Sequence, residues 1–235
     1  MQLTQASLAP YNTFALTQTA DHLTVLEQRE QLLVLWQARQ NEPLLIVGEG
    51  SNLLFTAPFH GLVLVNRLKG IRVTENDDAW LLKVEGGENW HQLVRWTLAR
   101  KMPGLENLAL IPGTVGASPI QNIGAYGVEL AQFCEQVESF DWDTGETHHW
   151  SAAECTFGYR DSVFKHQARH HLILSVTLRL PKIWQPVLGY GPLAELGEAA
   201  TAQQVFERVC TTRQAKLPDP AVLGNAGSFF KNPKV

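Results

Sequence analysis

Between Ile111 and Gly127 the chain reads IPGTVGASPIQNIGAYG, a long run of small residues carrying Thr114, Ser118, Gln121 and Asn122 as its polar groups. Such a stretch presents backbone more than side chain, so a flat, wide ligand can lie against it and bond to those hydroxyls and amides. Core packing also accounts for small residues, but it leaves the recurring polar groups unexplained. A second loop, Gly48-Glu49-Gly50-Ser51-Asn52, follows the apolar run Leu44-Leu45-Ile46-Val47, which reads as a buried strand. Successive N–H groups in that loop can converge on a phosphate oxygen, with Ser51 and Asn52 as side-chain donors. An ordinary tight turn is the competing reading. No helix is apparent after Asn52, so the loop is not the G-x-G-x-x-G of a dinucleotide-binding unit.

Around these loops the periodicity predicts a helix over 27–40, leading into the Leu44–Val47 strand as an α/β unit. Further strands are expected over 62–66, 71–75 and 81–85, followed by a tryptophan-containing helix over 89–101. Asp143-Thr144-Gly145 separates two alternating runs within 137–150, the chemistry of a hairpin turn. Another strand is expected over 171–180 and a helix over 202–214. Pro218 and Pro220 end that helix and mark a domain boundary.

Composition places limits on function. With 45% hydrophobic and 18% charged residues among 235, the chain reads as a folded protein with a sizeable core. Cys134, Cys155 and Cys210 lie far apart in sequence and form no CxxC pair, which argues against a disulfide framework and a zinc site and suits a reducing, cytoplasmic compartment. The N-terminus lacks a basic start followed by an apolar core, and no stretch approaches the roughly 18 apolar residues of a membrane span. A net charge of −4 with scattered cations gives nucleic acid no basic face. His148-His149 and His170-His171 are adjacent pairs that point to opposite faces of a strand, so solvated strand ends explain them better than metal ligation.

Four ordered blocks make the reading specific: GEGSN after a strand, PGLENLALIPGTVGASPIQNIGAYGVE over 103–129, FGYRDS over 157–162 and NAGSFFKNP over 225–233. Together they resemble the UDP-N-acetylenolpyruvylglucosamine reductase family, and the resemblance runs from Tyr11-Asn12-Thr13-Phe14 across essentially the whole chain. It implies an α+β protein with the two-part FAD-binding fold of the vanillyl-alcohol-oxidase (PCMH) type and only the start of a third, substrate-binding domain. The expected division is 1–66 and 67–216 for the two FAD-binding subdomains and 217–235 for the opening of the third. By matching positions it implies FAD contacts from Gly48, Gly50, Ser51, Asn52, Gly113, Thr114, Gly116 and Ser118. The implied substrate is UDP-N-acetylglucosamine enolpyruvate, with NADPH as hydride donor and the enzyme a monomer.

An enol ether resists hydride unless charge can spread into the adjacent carboxylate. Catalysis therefore needs a cation at that carboxylate and a proton donor at the neighbouring carbon. The resemblance implies Arg160 for the first role, since a guanidinium clasps a carboxylate bidentately. Taken locally, Arg160 reads as the partner of Asp161 in a surface ion pair. Ser228 is the implied proton donor, with Lys216 or Asn232 easing loss of its proton; taken locally it is a serine in a turn. Tyr190, flanked by Gly189 and Gly191, resembles the mobile tyrosine of the first of the two family types, while a core tyrosine at a bend is the local alternative. Tyr126, Arg213, Lys216 and Asn232 are implied substrate contacts, the basic pair suited to a diphosphate. The family's charge-stabilising glutamate has no counterpart in these 235 residues, and little of the third domain is present. The implied function is the reduction of UDP-N-acetylglucosamine enolpyruvate, the alternative being a truncated, inactive or merely flavin-binding fragment; a polypeptide of this length is expected to bind FAD weakly or not at all and not to turn over.

Overall fold

A computed structural model describes residues 2–39, 42–219 and 222–226. The chain divides into two compact units, one formed by residues up to Arg67 together with those from Leu217 onward, the other by Leu68–Lys216.

The first unit is built on a four-stranded sheet in the order β1-β2-β4-β3, with β1 Gln2–Ser7, β2 Thr19–Leu26, β3 Leu44–Val47 and β4 Phe59–Asn66. Strand β1 pairs antiparallel with β2, whereas β4 runs parallel to both β2 and β3. A parallel strand between two neighbours is covered on both faces, and β4 accordingly buries every residue from Gly61 to Asn66. Helix α1, Gln31–Ala38, lies in the connection between β2 and β3. It starts later than the periodicity suggests because the Gln31 side-chain carbonyl accepts the N–H groups of Glu27 and Gln28, each at 3.0 Å, folding that stretch into a turn. Strands β1 and β2 were not among the sequence expectations. The β2 sequence TADHLTVL mixes polar and apolar residues without strict alternation, and so do its buried positions.

The second unit holds a five-stranded antiparallel sheet in the order β10-β9-β11-β6-β5. Its strands are β5 Ile71–Glu75, β6 Ala79–Glu85, β9 Cys134–Asp141, β10 Thr147–Ser151 and β11 His171–Pro181. The predicted hairpin turn joins β9 to β10: the Asp141 carboxylate accepts the Asp143 N–H at 2.8 Å and the Thr144 hydroxyl at 3.0 Å, and Gly145 takes φ 79°. Helix α2, Trp90–Ala99, is capped by the Asn89 side chain and buries Trp90, Leu93, Val94 and Thr97. That i, i+3, i+4, i+7 spacing makes one stripe facing the core. Helix α3, Ala202–Lys216, buries Val205 and Val209. Between β6 and β9 a short ribbon pairs β7, Gly124–Ala125, with β8, Val128–Glu129. This ribbon opens in the last residues of the small-residue run and is the element on which Tyr126 and Glu129 are presented.

One local reading gains a detail and another needs correction. Cys134 and Cys155, distant in sequence, come together as free buried thiols that share a hydrogen bond, which with burial pushes the Cys134 thiol up. The histidine pairs are not uniformly solvated, since the His171 side chain is only 9% exposed, accepts or donates at 2.9 Å with the Ser139 hydroxyl, and packs edge-on against His148.

Candidate functional site

In the first unit, Gly48–Asn52 turns directly off β3. Gly50 adopts φ 66°, and a Cβ there would fall 1.9 Å from the Tyr11 carbonyl oxygen, so only glycine fits. Gly50 also accepts the Thr13 N–H at 3.3 Å, tying the loop to the Tyr11–Phe14 segment. Arg67, unassigned by sequence reasoning, holds the loop from below by donating to the Gly48 carbonyl at 2.7 Å and to that of Asn66 at 3.1 Å. The loop is thus held at Gly48 and Gly50 by residues outside it, with Ser51 half-buried and Asn52 exposed.

In the second unit, Gly113, Thr114, Gly116 and Ser118 line the small-residue loop, with Thr114, Gly116 and Ser118 buried. The N–H of Gly116 donates to the Gly86 carbonyl at 2.8 Å, and a Cβ on Gly116 would meet that same oxygen at 2.9 Å. The Ser118 hydroxyl donates to the Val115 carbonyl at 2.6 Å. These bonds fix the loop, one to Gly86 after β6 and one within the loop itself.

Arg160 reaches the ribbon. Its Nη2 donates to the Gly124 carbonyl at 2.6 Å, its Nη1 stands 3.9 Å from a Glu129 carboxylate oxygen, and its guanidinium lies 5.1 Å from the Tyr159 ring centre. The Asp161 carboxylate meets His166 at 3.0 Å, so the local ion-pair reading of Arg160 with Asp161 gives way to the ribbon contacts. The backbone at Arg160 is left-handed, φ 54°, as it is at Asn122, φ 43°, and Tyr126, φ 49°. Non-glycine residues hold that conformation only when their surroundings enforce it. Asn122 supplies part of the enforcement, donating to Glu129 at 2.9 Å and to the Gly158 carbonyl at 3.0 Å while accepting the Ala131 N–H at 3.0 Å. Arg160 Nη1 is buried and has no hydrogen-bond acceptor among the described residues. The Glu129 carboxylate balances its charge from beyond hydrogen-bond range, so the nitrogen keeps a donor free for a second anion.

The ribbon turn carries Tyr126, whose ring meets that of Tyr190 edge-on at 6.0 Å. Burial pushes the Tyr126 phenol up, and the neighbouring Arg213 cation pulls it back. Burial likewise draws Arg213 below its ordinary range, and its Nε is a second buried donor without an acceptor among the described residues. Tyr126, Tyr190 and Arg213 are therefore brought together; Tyr190 is 57% exposed, which excludes the reading as a core tyrosine. Lys216 ends α3 in an exposed position. Ser228 and Asn232 lie outside the described residues. Sequence reasoning passed over Glu106 and Asn107, whose only signal was their place within the apolar PGLENLAL block.

A family model described as an FAD binding domain matches residues 21–151. Over 233 residues the chain is 58% identical to the UDP-N-acetylenolpyruvoylglucosamine reductase of Salmonella typhi and 56% identical to that of Escherichia coli strain K12, in each case covering 97% of this chain and 68% of the relative. The structure is similar to that of the reductase from Thermus caldophilus, with a TM-score of 0.70 at 25% identity over 99% of this chain and 74% of the other. A solvent-stable cholesterol oxidase shares the fold, with a TM-score of 0.52 at 14% identity over 77% of this chain and 38% of that one.

Proposed function

Because this chain belongs to the UDP-N-acetylenolpyruvoylglucosamine reductase family, we propose that it binds FAD and serves the NADPH-dependent reduction of UDP-N-acetylglucosamine enolpyruvate to UDP-N-acetylmuramate, a step in peptidoglycan precursor synthesis, as a cytoplasmic monomer. No described helix is long and apolar enough to cross a membrane, which fits a dissolved nucleotide-sugar substrate. The residues suit the cofactor by their chemistry: Gly50, packed against the Tyr11 carbonyl, fixes the turn that leaves Ser51 half-buried and Asn52 exposed as donors, and the loop around Gly116 is built of small residues. Gly48, Gly50, Ser51, Asn52, Gly113, Thr114, Gly116 and Ser118 would hold FAD. When bound, FAD supplies the terminal carbon of the substrate double bond with the hydride taken from NADPH.

Arg160 carries the reading, through the buried Nη1 that lacks an acceptor. A substrate carboxylate satisfies that donor, and the fixed charge lowers the energy of the negative charge that spreads into the carboxylate as the terminal carbon is reduced. Ser228 then gives its proton to the neighbouring carbon, with Lys216 or Asn232 stabilising the alkoxide left behind. Arg213 and Lys216 meet the diphosphate, while Tyr126, Asn232 and the exposed Tyr190 close over the nucleotide sugar.

The test uses a chimera in which the last third of the Salmonella typhi relative is joined to these residues. Arg160→Lys keeps the charge but loses the fork, and should lower kcat/KM by about 10²–10³ with FAD content unchanged. Turnover of the substituted enzyme at the unsubstituted rate would remove Arg160 from the chemistry. The 235-residue polypeptide alone should hold FAD weakly and show no NADPH-dependent reduction of the enolpyruvyl sugar.

A further inference from the structure

We infer that Asn107, together with Glu106, is the positioning residue that anchors the Tyr190 segment to the ribbon and so sets where the movable part of that segment begins; this deepens the proposed substrate reading and rests on it. Both residues are only 2% exposed, yet neither belongs to a strand or a long helix that would explain a buried polar pair. Their partners do. The Asn107 side-chain amide donates to two carbonyls at once, Tyr126 at 2.9 Å and Val187 at 2.9 Å. One side chain thus joins the turn of the ribbon to the segment preceding Tyr190. Next to it, the Glu106 carboxylate accepts the Trp184 indole N–H at 2.6 Å through one oxygen and the Gly104 N–H at 2.7 Å through the other.

The segment is therefore tied at Trp184 and again at Val187, and the next side-chain tie comes only at Pro192, whose carbonyl accepts from Arg208 at 2.9 Å. Gly189 and Gly191 have nothing within 4 Å of the place a Cβ would occupy, Gly191 takes φ 55°, and Tyr190 between them is largely exposed. A fixed stem followed by an unobstructed tip is the mechanical requirement of a hinge, in which a few residues absorb the backbone rotation. The anchor places the hinge after Val187 and leaves Trp184–Val187 stationary. Asn107 also fixes the Tyr126 end of the edge-on Tyr126–Tyr190 pair, so it acts on a nucleotide through those rings without touching it.

Two substitutions test the anchor in the same chimera loaded with FAD. Asn107→Ala removes both donors; Trp184→Phe removes one tie at a half-buried site and guards against a folding failure at Asn107. Amide hydrogen exchange over 184–190 should accelerate about tenfold or more in each, while exchange in β11 and α2 stays unchanged. Calorimetric titration with UDP should show Kd weakened by about tenfold for each variant, with FAD content and Tm near those of the parent. Exchange and Kd both unchanged would overturn the inference, and so would a loss of UDP affinity accompanied by equal loss of FAD and Tm, which marks general unfolding. A parent chain that does not bind UDP at all removes the substrate reading and the nucleotide half of this inference; accelerated exchange in the variants would then still uphold the anchor, and unchanged exchange would sink it.

Discussion

At the scale of single residues, His91 shows how the small-residue loop depends on a protonation state. Its Nδ1 accepts the Leu110 N–H at 3.1 Å, and Leu110 sits at φ 56° immediately before the loop begins. The imidazole also stacks on Phe206 with centroids 5.7 Å apart and planes within 3°. An accepting Nδ1 requires the neutral ring with its proton on Nε2. Burial lowers the His91 pKa, and the Arg95 cation lowers it further. His171 is shifted in the same direction, again chiefly by burial. For a histidine whose folded value lies below the unfolded one, near 6.5, the unfolded chain binds the proton first as pH falls. The stabilisation is then complete above about pH 6.5 and is lost as pH drops toward the folded pKa. Thermal unfolding monitored from about pH 7.5 to pH 5 should show a falling Tm, and His91→Gln, which offers an acceptor that does not titrate, should flatten part of the slope. Identical slopes in parent and variant would assign the acid sensitivity to other groups. Arg160, Asn122 and Tyr126 share with Leu110 a left-handed backbone at a non-glycine residue. Nothing in their local sequence announces it, because the conformation is imposed by tertiary hydrogen bonds and not by propensity.

At the scale of elements, the turn from β3 into Gly48–Asn52 was legible as a turn, but its reason was not. The sequence shows glycines; the steric demand comes from Tyr11, far away in the chain, whose carbonyl occupies the space of a Gly50 side chain. Gly50→Ala therefore combines a left-handed alanine with a backbone collision, and should cost more than about 2 kcal/mol in urea unfolding of the first unit. Unfolding at the parent midpoint would show that the Tyr11 segment yields without penalty. Strands β5, β6 and β11 and helix α2 were readable because their apolar residues keep the period of the element they form. Strand β1, QLTQAS, gave no such signal, being a polar edge held by its antiparallel register with β2. The β7–β8 ribbon is only two residues on each side, too short for any period, although it carries Tyr126 on its turn and receives Arg160. The chemistry-bearing blocks were thus visible as motifs, while the side chains that hold them were not: Arg67 and Asn107 were visible only in space, and Asn122, read as a polar group for a ligand, braces the ribbon instead.

At the scale of the whole molecule, the two units differ in how the chain builds them. The first draws on both ends of the described chain: the Thr13 hydroxyl donates to the Asn225 carbonyl, and Gly224 lies so close to Phe14 that a Cβ would stand 3.0 Å from its Cα. The second is one uninterrupted stretch, Leu68–Lys216. All five strands of its sheet come from within it, and so does every member of the core around Trp90, Leu105, Leu130 and Leu178. The first unit keeps a separate core around Leu8, Leu23, Val63 and Val65. A segment of about 150 residues with a single core buries enough surface to fold by itself. Residues 68–216 expressed alone should therefore unfold in urea as one cooperative transition, with a slope of about 1–3 kcal/mol per molar. A broad, sloping loss of signal would mean that this core is incomplete without the first unit. The same independence governs Gly50→Ala in the 235-residue chain: the substitution should move the unfolding of the first unit to lower urea while hydrogen exchange in β9 and β11 stays at parental rates. If protection in β9 and β11 falls together with that in β3 and β4, the two cores unfold as one, and the fragment should fail to fold as well.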